Sequence, residues 1–389
     1  MPEPQGAYEC GLHHAIGGTP ACRRLSEAFY ARVAQEPALR PLFPGKTLNC
    51  AIAEFAAFLV QFLGGPSDDA QRRWWLSLRE SHLRFRIGQT ERDAWMNTMG
   101  KALDDIEMDD AVRAALRAFF EQSSAYLVNA GPATPADQGC GHPPGDGIGR
   151  EISRAWASQL QLDEAVAAIR NADADRAIAL AECFALQIPP GRNRAILAAL
   201  LATMIAGGDS AMLDYAREEL RRDPDLAGER YNGRTLLHAA SAAGDAATVD
   251  LLLQLGADPG VADAGGHTPL YSVGNECRAQ GGGDVVRILV RAGAKVDACG
   301  GVKRCTALHM AARRGNLEVA RALLDCGADI EARDSLGDTP LRRSVNCNKT
   351  AVAALLVSRG ADVNSKGSGG VTPLSAARTG AMQAALRSG

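Results

Sequence analysis

The sequence predicts an all-α protein built in two dissimilar parts, and three observations carry that reading. Apolar residues in the first 130 positions recur at helical spacing, a Pro/Gly-rich stretch interrupts the chain between Asn129 and Arg150, and from residue 231 onward one short word recurs with a period near 33. At 389 residues the chain also exceeds what a single core usually organises, so more than one domain is expected.

In the front part, residues 1–130, Phe55, Phe58, Leu59 and Phe62 follow the i, i+3, i+4, i+7 rule, and Val112, Ala115, Leu116 and Phe119 repeat it. Residues 131–150 are too rich in Pro and Gly to hold a helix or a ladder strand and read as a linker. Residues 151–230 return to an Ala-rich helical pattern, broken at Pro189-Pro190-Gly191, Gly207-Gly208-Asp209 and Asp223-Pro224. In residues 231–389, Thr235, Thr268, Thr306, Thr339 and Thr372 stand 33, 38, 33 and 33 residues apart, a spacing that means stacked supersecondary units.

Composition narrows the function. Hydrophobic residues make up 46% and charged residues 22%, which suits sizeable soluble cores. A net charge of −3 provides no basic footprint for nucleic acid. The ten cysteines lack the short paired spacings of a zinc site or a small disulfide framework, and reduced thiols in a cytoplasm are expected. The start shows no signal peptide, and the longest uncharged apolar run, from Ala195, is about a dozen residues, short of the roughly 20 needed to span a membrane. A cytoplasmic protein with no membrane and no nucleic-acid partner is expected.

The recurring words are Gly-Arg-Thr-Leu-Leu-His-Ala-Ala (233–240), Gly-His-Thr-Pro-Leu-Tyr (266–271), Thr-Ala-Leu-His-Met-Ala-Ala (306–312), Gly-Asp-Thr-Pro-Leu-Arg (337–342) and Gly-Val-Thr-Pro-Leu-Ser-Ala-Ala (370–377). In each, Thr can cap a helix, and where Pro follows it sits at the first helical position, where its missing N–H costs nothing. The second helix of each unit carries a stripe such as Val249, Leu252 and Leu253, or Val319, Leu323 and Leu324. It stops at Gly256, Gly293, Gly327 or Gly360, which supply a left-handed C-terminal residue. These words resemble ankyrin repeats. The resemblance implies an array that presents a face to a protein partner, and it places His238 and His309 where an imidazole bonds to neighbouring repeat backbone. Residues 192–230 can be a degenerate first unit. The surplus of five residues in the second repeat is expected around Asn275 to Gly283, as an exposed lip. Arg342-Arg343 reads as a basic contact patch or a solvated face.

The front part carries a second set of words in order: Ile16-Gly17-Gly18, Phe29-Tyr30, Leu42-Phe43-Pro44, Phe58 to Pro66, Ser81-His82-Leu83-Arg84-Phe85-Arg86-Ile87-Gly88, and Arg92-Asp93-Ala94-Trp95. Over about residues 10 to 129 they resemble a truncated haemoglobin, a two-on-two globin, most closely of the second group. The resemblance implies haem b as cofactor, with His82 as the proximal iron ligand and its other ring N–H fixed by an outer acceptor. Taken alone, a His beside Leu83 and Phe85 reads as a surface or core residue. The resemblance further places Tyr30 and Trp95 beside a bound diatomic gas as hydrogen-bond donors, Phe43 on the haem face, Ala51 and Phe55 on the distal helix, and Arg73 and Arg79 at the haem propionates. Relatives have Arg-Gly-His-Pro where this chain has Arg73-Trp74-Trp75-Leu76, which alters the turn into the proximal helix.

Three function classes follow. The first is a haem protein binding O₂, NO or CO, tethered to an ankyrin scaffold for an unidentified protein partner. The second is a redox enzyme that detoxifies NO or peroxide; no Gly-rich dinucleotide fingerprint follows a strand, so it needs a separate reductase. The third is a scaffold whose globin takes no haem, motivated by Trp74-Trp75.

Overall fold

A computed structural model of the chain describes residues 12–65, 77–130, 147–187 and 193–387. Arg73, Trp74 and Trp75, and residues 131–146 of the Pro/Gly-rich stretch, lie outside the described residues. The chain divides into two compact units, Met1–Ala167 and Ala168–Gly389.

The described helices of the first unit are α1 (Leu12–Ala15), α2 (Gly18–Val33), α3 (Asn49–Phe62), α4 (Leu78–His82), α5 (Gln89–Asp104), α6 (Asp110–Tyr126) and α7 (Gly147–Arg170), the last crossing the division between units. Gly17 opens α2 from a left-handed backbone (φ 98°), where an added Cβ would also meet Ala21 at 3.1 Å. Buried Ala21, Cys22, Leu25, Phe29 and Val33 form one face of α2, which packs on α3 and α5. Buried Ser26 donates its hydroxyl to the Ile52 carbonyl (2.7 Å), fixing α2 against α3. Asp109 caps α6 by accepting from the Ala111 N–H, and Val112, Leu116, Phe119 and Phe120 turn inward from it. Past the Pro/Gly-rich stretch, α7 adds Ile148, Ile152 and Trp156 to this same core. The Trp156 ring stands edge-on to Phe119 (5.7 Å) and Tyr126 (5.6 Å).

In the second unit each repeat is a helix pair. Thr268, Thr306, Thr339 and Thr372 cap the first helices by accepting a backbone N–H, and Pro269, Pro340 and Pro373 occupy the first helical turn. Gly256, Gly293, Gly327 and Gly360 end the second helices at φ of 84–102°, a region an L side chain rarely adopts. First helices pack on first helices and second on second along the array. Helices Asn193–Gly207 and Ser210–Arg222 pack on Leu236–Ala243 and Ala246–Gln254 in the same alternation. Among the described residues the sheet content is one two-stranded hairpin, Arg230–Tyr231 with Arg234–Thr235. No described helix is long and apolar enough to cross a membrane.

Two expectations about the repeats are corrected. Gly293 follows Thr268 by 25 residues, where Gly256 and Gly327 follow their threonines by 21; of the four surplus residues three lie between the helices of the second repeat and one lengthens its second helix. The fifth lies beyond Gly293, in the loop that closes with the Gly300–Cys305 bridge. Arg342-Arg343 is neither a contact patch nor a solvated face. Arg342, 9% exposed, donates to the Thr372 carbonyl (3.0 Å) and so bridges to the next repeat, whereas Arg343 bonds to the buried Asp334 carboxylate (2.7 Å from Nε) and ties its own repeat's loop to its helix.

Candidate functional site

Helix α4 is a single five-residue turn, and almost everything that holds it comes from outside it. Ser77 caps it by accepting from the Glu80 N–H (3.1 Å), and the segment after it is fixed from the end of α6. There Asn129 accepts from the Ile87 N–H (2.9 Å) and donates to the Phe85 carbonyl (2.9 Å). His82 ends the turn, half-buried. Its Nδ1 lies 2.8 Å from the Leu78 carbonyl, which can only accept, so the ring proton sits on Nδ1. Ser81 Oγ lies 2.8 Å from the same nitrogen and donates to the same carbonyl at 2.6 Å. Among the described residues no hydrogen bond engages Nε2, which keeps its lone pair. Burial holds the imidazole below its ordinary pKa, so at neutral pH it is the neutral base that ligates metals; the Leu78 hydrogen bond and the Asp163 charge partly oppose this.

Facing this segment is an aromatic wall. Rings follow one another from His82 to Phe85 (6.0 Å), Phe43 (5.8 Å), Tyr30 (5.4 Å) and Phe55 (6.3 Å). A second branch runs from Phe29 to Trp95 (5.3 Å) and on to Phe120 (5.5 Å). Of the fourteen residues in α3, only Leu59 and Val60 are fully buried, whereas Ala51, Ile52, Phe55, Phe58 and Phe62 are left half-exposed. So is the apolar surface of Phe43, Phe85 and Trp95. A concentration of half-covered aromatics on one wall is what a flat apolar ligand would complete.

Polar groups punctuate this wall sparsely. Tyr30 is 8% exposed, and its hydroxyl pKa is raised chiefly by burial and further by Glu54, with Arg84 opposing. Neither the Tyr30 hydroxyl nor the Trp95 indole N–H has a hydrogen-bond partner among the described residues, so both remain available as donors. Arg79 is exposed; its guanidinium lies over the Tyr126 ring at 5.4 Å and its backbone N–H donates to Asp163. Arg84 is exposed over Phe85 (4.7 Å), and its charge reaches both Tyr30 and His82. The structure thus brings His82, Tyr30, Phe43, Phe55 and Trp95 around one wall, with Ala51 one turn before Phe55 on α3, while Arg73 lies outside the described residues. Sequence reasoning assigned no role to Phe85, Arg84 or Asp163. The first two stand inside a quoted word, and the third stands 81 residues beyond His82.

The set fits a haem: one neutral imidazole nitrogen, a half-covered aromatic wall, two uncommitted donors and an exposed cation at its edge.

The second unit has a groove of about 880 Å³ where the surplus residues of the second repeat face the next two repeats. Arg278, Arg313, Arg314 and Lys349 line it, against one acidic side chain, Glu318. His238 and His309 are fully buried and bridge repeats: each Nδ1 accepts from a Thr backbone N–H (3.2 Å), and each Nε2 donates to a carbonyl of the next repeat (3.0 Å).

Comparison with known proteins agrees with both halves. Residues 11–129 match the bacterial-like globin family, residues 232–264 an ankyrin repeat, and residues 276–367 a set of three ankyrin repeats. A group 2 truncated hemoglobin of Bacillus subtilis is 33% identical over 112 residues, which are 29% of this chain and 84% of that protein. A two-on-two hemoglobin of Arabidopsis thaliana is 30% identical over 107 residues, 27% of this chain and 61% of its own length. On the repeat side, ankyrin repeat and SOCS box protein 16 of Homo sapiens is 34% identical over 128 residues, 33% of this chain and 27% of that protein.

Proposed function

The chain belongs to the truncated haemoglobins, with ankyrin repeats following the globin, and on that premise we propose that it is a haem protein binding a diatomic gas and tethered to a protein-interaction array. The observation that carries this reading is the wiring of His82: Nδ1–H is committed to the Leu78 carbonyl, and Nε2 is left to ligate iron beside a half-covered aromatic wall. Haem b supplies the iron that takes up O₂, NO or CO. The chain's residues do the rest. His82 would hold the iron through Nε2, and Phe43, Phe55 and Phe85 would exclude water from the cofactor. Tyr30 and Trp95 donate toward the gas and slow its release. Arg79 and Arg84 supply charge for the propionates. The repeats hold a protein partner, and the surplus of cations in their groove favours an acidic segment.

The test is spectroscopic. Recombinant protein supplied with hemin is expected to develop a Soret band that His82→Ala abolishes while far-UV circular dichroism stays unchanged. A colourless wild-type protein would overturn the reading.

A further inference from the structure

The first three backbone N–H groups of α4 lack partners within their own helix, and each is satisfied from elsewhere. Leu78 N–H donates to Asp163 Oδ1 (2.8 Å), Arg79 N–H to Asp163 Oδ2 (3.2 Å), and Glu80 N–H to Ser77 Oγ (3.1 Å). Asp163 lies on α7, beyond the Pro/Gly-rich stretch, and is 5% exposed. Its carboxylate also accepts from Gln159 Nε2 (3.1 Å), and its charge adds to the burial that raises the Tyr126 hydroxyl pKa. A buried carboxylate so placed forms charge-assisted bonds of about twice the ordinary strength. The Arg79 N–H and the Leu78 carbonyl belong to the same peptide group, and that carbonyl is the acceptor for His82 Nδ1–H (2.8 Å). A continuous line of hydrogen bonds therefore runs from carboxylate through one peptide to imidazole, and bonds in such a line strengthen one another.

We propose that Asp163 is a positioning residue for His82: acting through the Leu78–Arg79 peptide, its carboxylate polarises the carbonyl that accepts Nδ1–H and so sets the orientation and donor strength of Nε2. Groups that hold the far nitrogen of a ligating histidine ordinarily touch it directly and tune the metal. Here the charge is delivered at one remove, from a helix that follows the globin-like segment. The inference rests on the haem reading, and its test separates the two.

In the full chain loaded with hemin and reduced, Asp163→Asn is expected to move the iron–histidine stretching band in resonance Raman to lower frequency. It should also speed hemin dissociation roughly ten-fold. Asp163→Glu should bring the band back toward the wild-type position. Gln159→Leu removes one donor from the carboxylate, concentrates its charge on the peptide and moves the band the other way; being close in volume, it carries the test if Asp163→Asn does not fold. In the haem-free protein, the His82 Nδ1–H proton resonance should move upfield in Asp163→Asn. A folded Asp163→Asn protein with lower melting temperature but unmoved band and unmoved Nδ1–H resonance would reduce Asp163 to a helix cap and overturn the proposal, as would an unmoved band in Gln159→Leu. A wild-type protein that takes up no hemin would defeat the haem reading, and the resonance of the haem-free protein would still decide the relay.

Discussion

His82 in the first unit and His238 and His309 in the second are the same residue put to opposite ends. In the repeats the imidazole is a strut: Nδ1 receives a Thr N–H, Nε2 gives its proton to the next repeat, and no water reaches either. In α4 the proton sits on the other nitrogen, donated inward to a carbonyl one turn back, and among the described residues nothing bonds to Nε2. The tautomer, set by neighbouring backbone, separates a structural histidine from one that can bind a metal. Burial lowers the pKa of all three and so does not tell them apart.

The sharpest test of this contrast is a pair of substitutions. His82→Ala should remove hemin binding and leave the melting of the repeats in place. His309→Ala should leave hemin binding in place and destabilise the repeat unit by about 3 kcal/mol, since it orphans a buried carbonyl and a buried N–H. A crossed result, with the Soret band weakened by His309→Ala, would break the comparison. Next in size, Trp156→Ala should cost the first unit about 3–5 kcal/mol in denaturant unfolding, because it opens a cavity beside Phe119 and Tyr126. Tyr30→Phe deletes only a hydroxyl; gas dissociation measured by flash photolysis should accelerate roughly ten-fold, the loss of one hydrogen bond.

The smallest effect concerns pH. His238 and His309 have folded-state pKa values lowered chiefly by burial, so the unfolded chain binds protons first on acidification. Their contribution is fully present above the ordinary imidazole value of about 6.5 and is lost as pH falls through the lowered folded values. The melting temperature of the repeats should fall between pH 7.5 and 5.5, and His238→Gln with His309→Gln should flatten that slope. A slope unchanged in the double variant would show that other groups carry it.

The repeat architecture was legible because each unit re-uses one solution. Thr caps, Pro at the first turn and Gly at the left-handed end recur at fixed offsets, and the structure adopts each of them. The aromatic wall was legible as words around Phe43, Phe55 and Trp95, although the words did not say that Phe85 bridges His82 to Phe43. The fate of Arg342-Arg343 had a faint signal, since Asp334 and Asp338 precede it closely enough to pair once the loop turns back. Asp163 had none. It sits in an Ala-rich helix of unremarkable pattern, and its partners are backbone N–H groups, which every sequence offers equally.

That late-arriving carboxylate bears on how the protein is made. During synthesis at about 5–20 residues per second, the turn bearing His82 emerges several seconds before the α7 helix that anchors it. Through that interval Leu78 and Arg79 lack their acceptor, and Phe119 and Tyr126 lack the indole that covers them. A fragment ended at the Pro/Gly-rich stretch lacks both the acceptor and the indole, and its melting temperature is expected to lie below that of a fragment extended through Asp163.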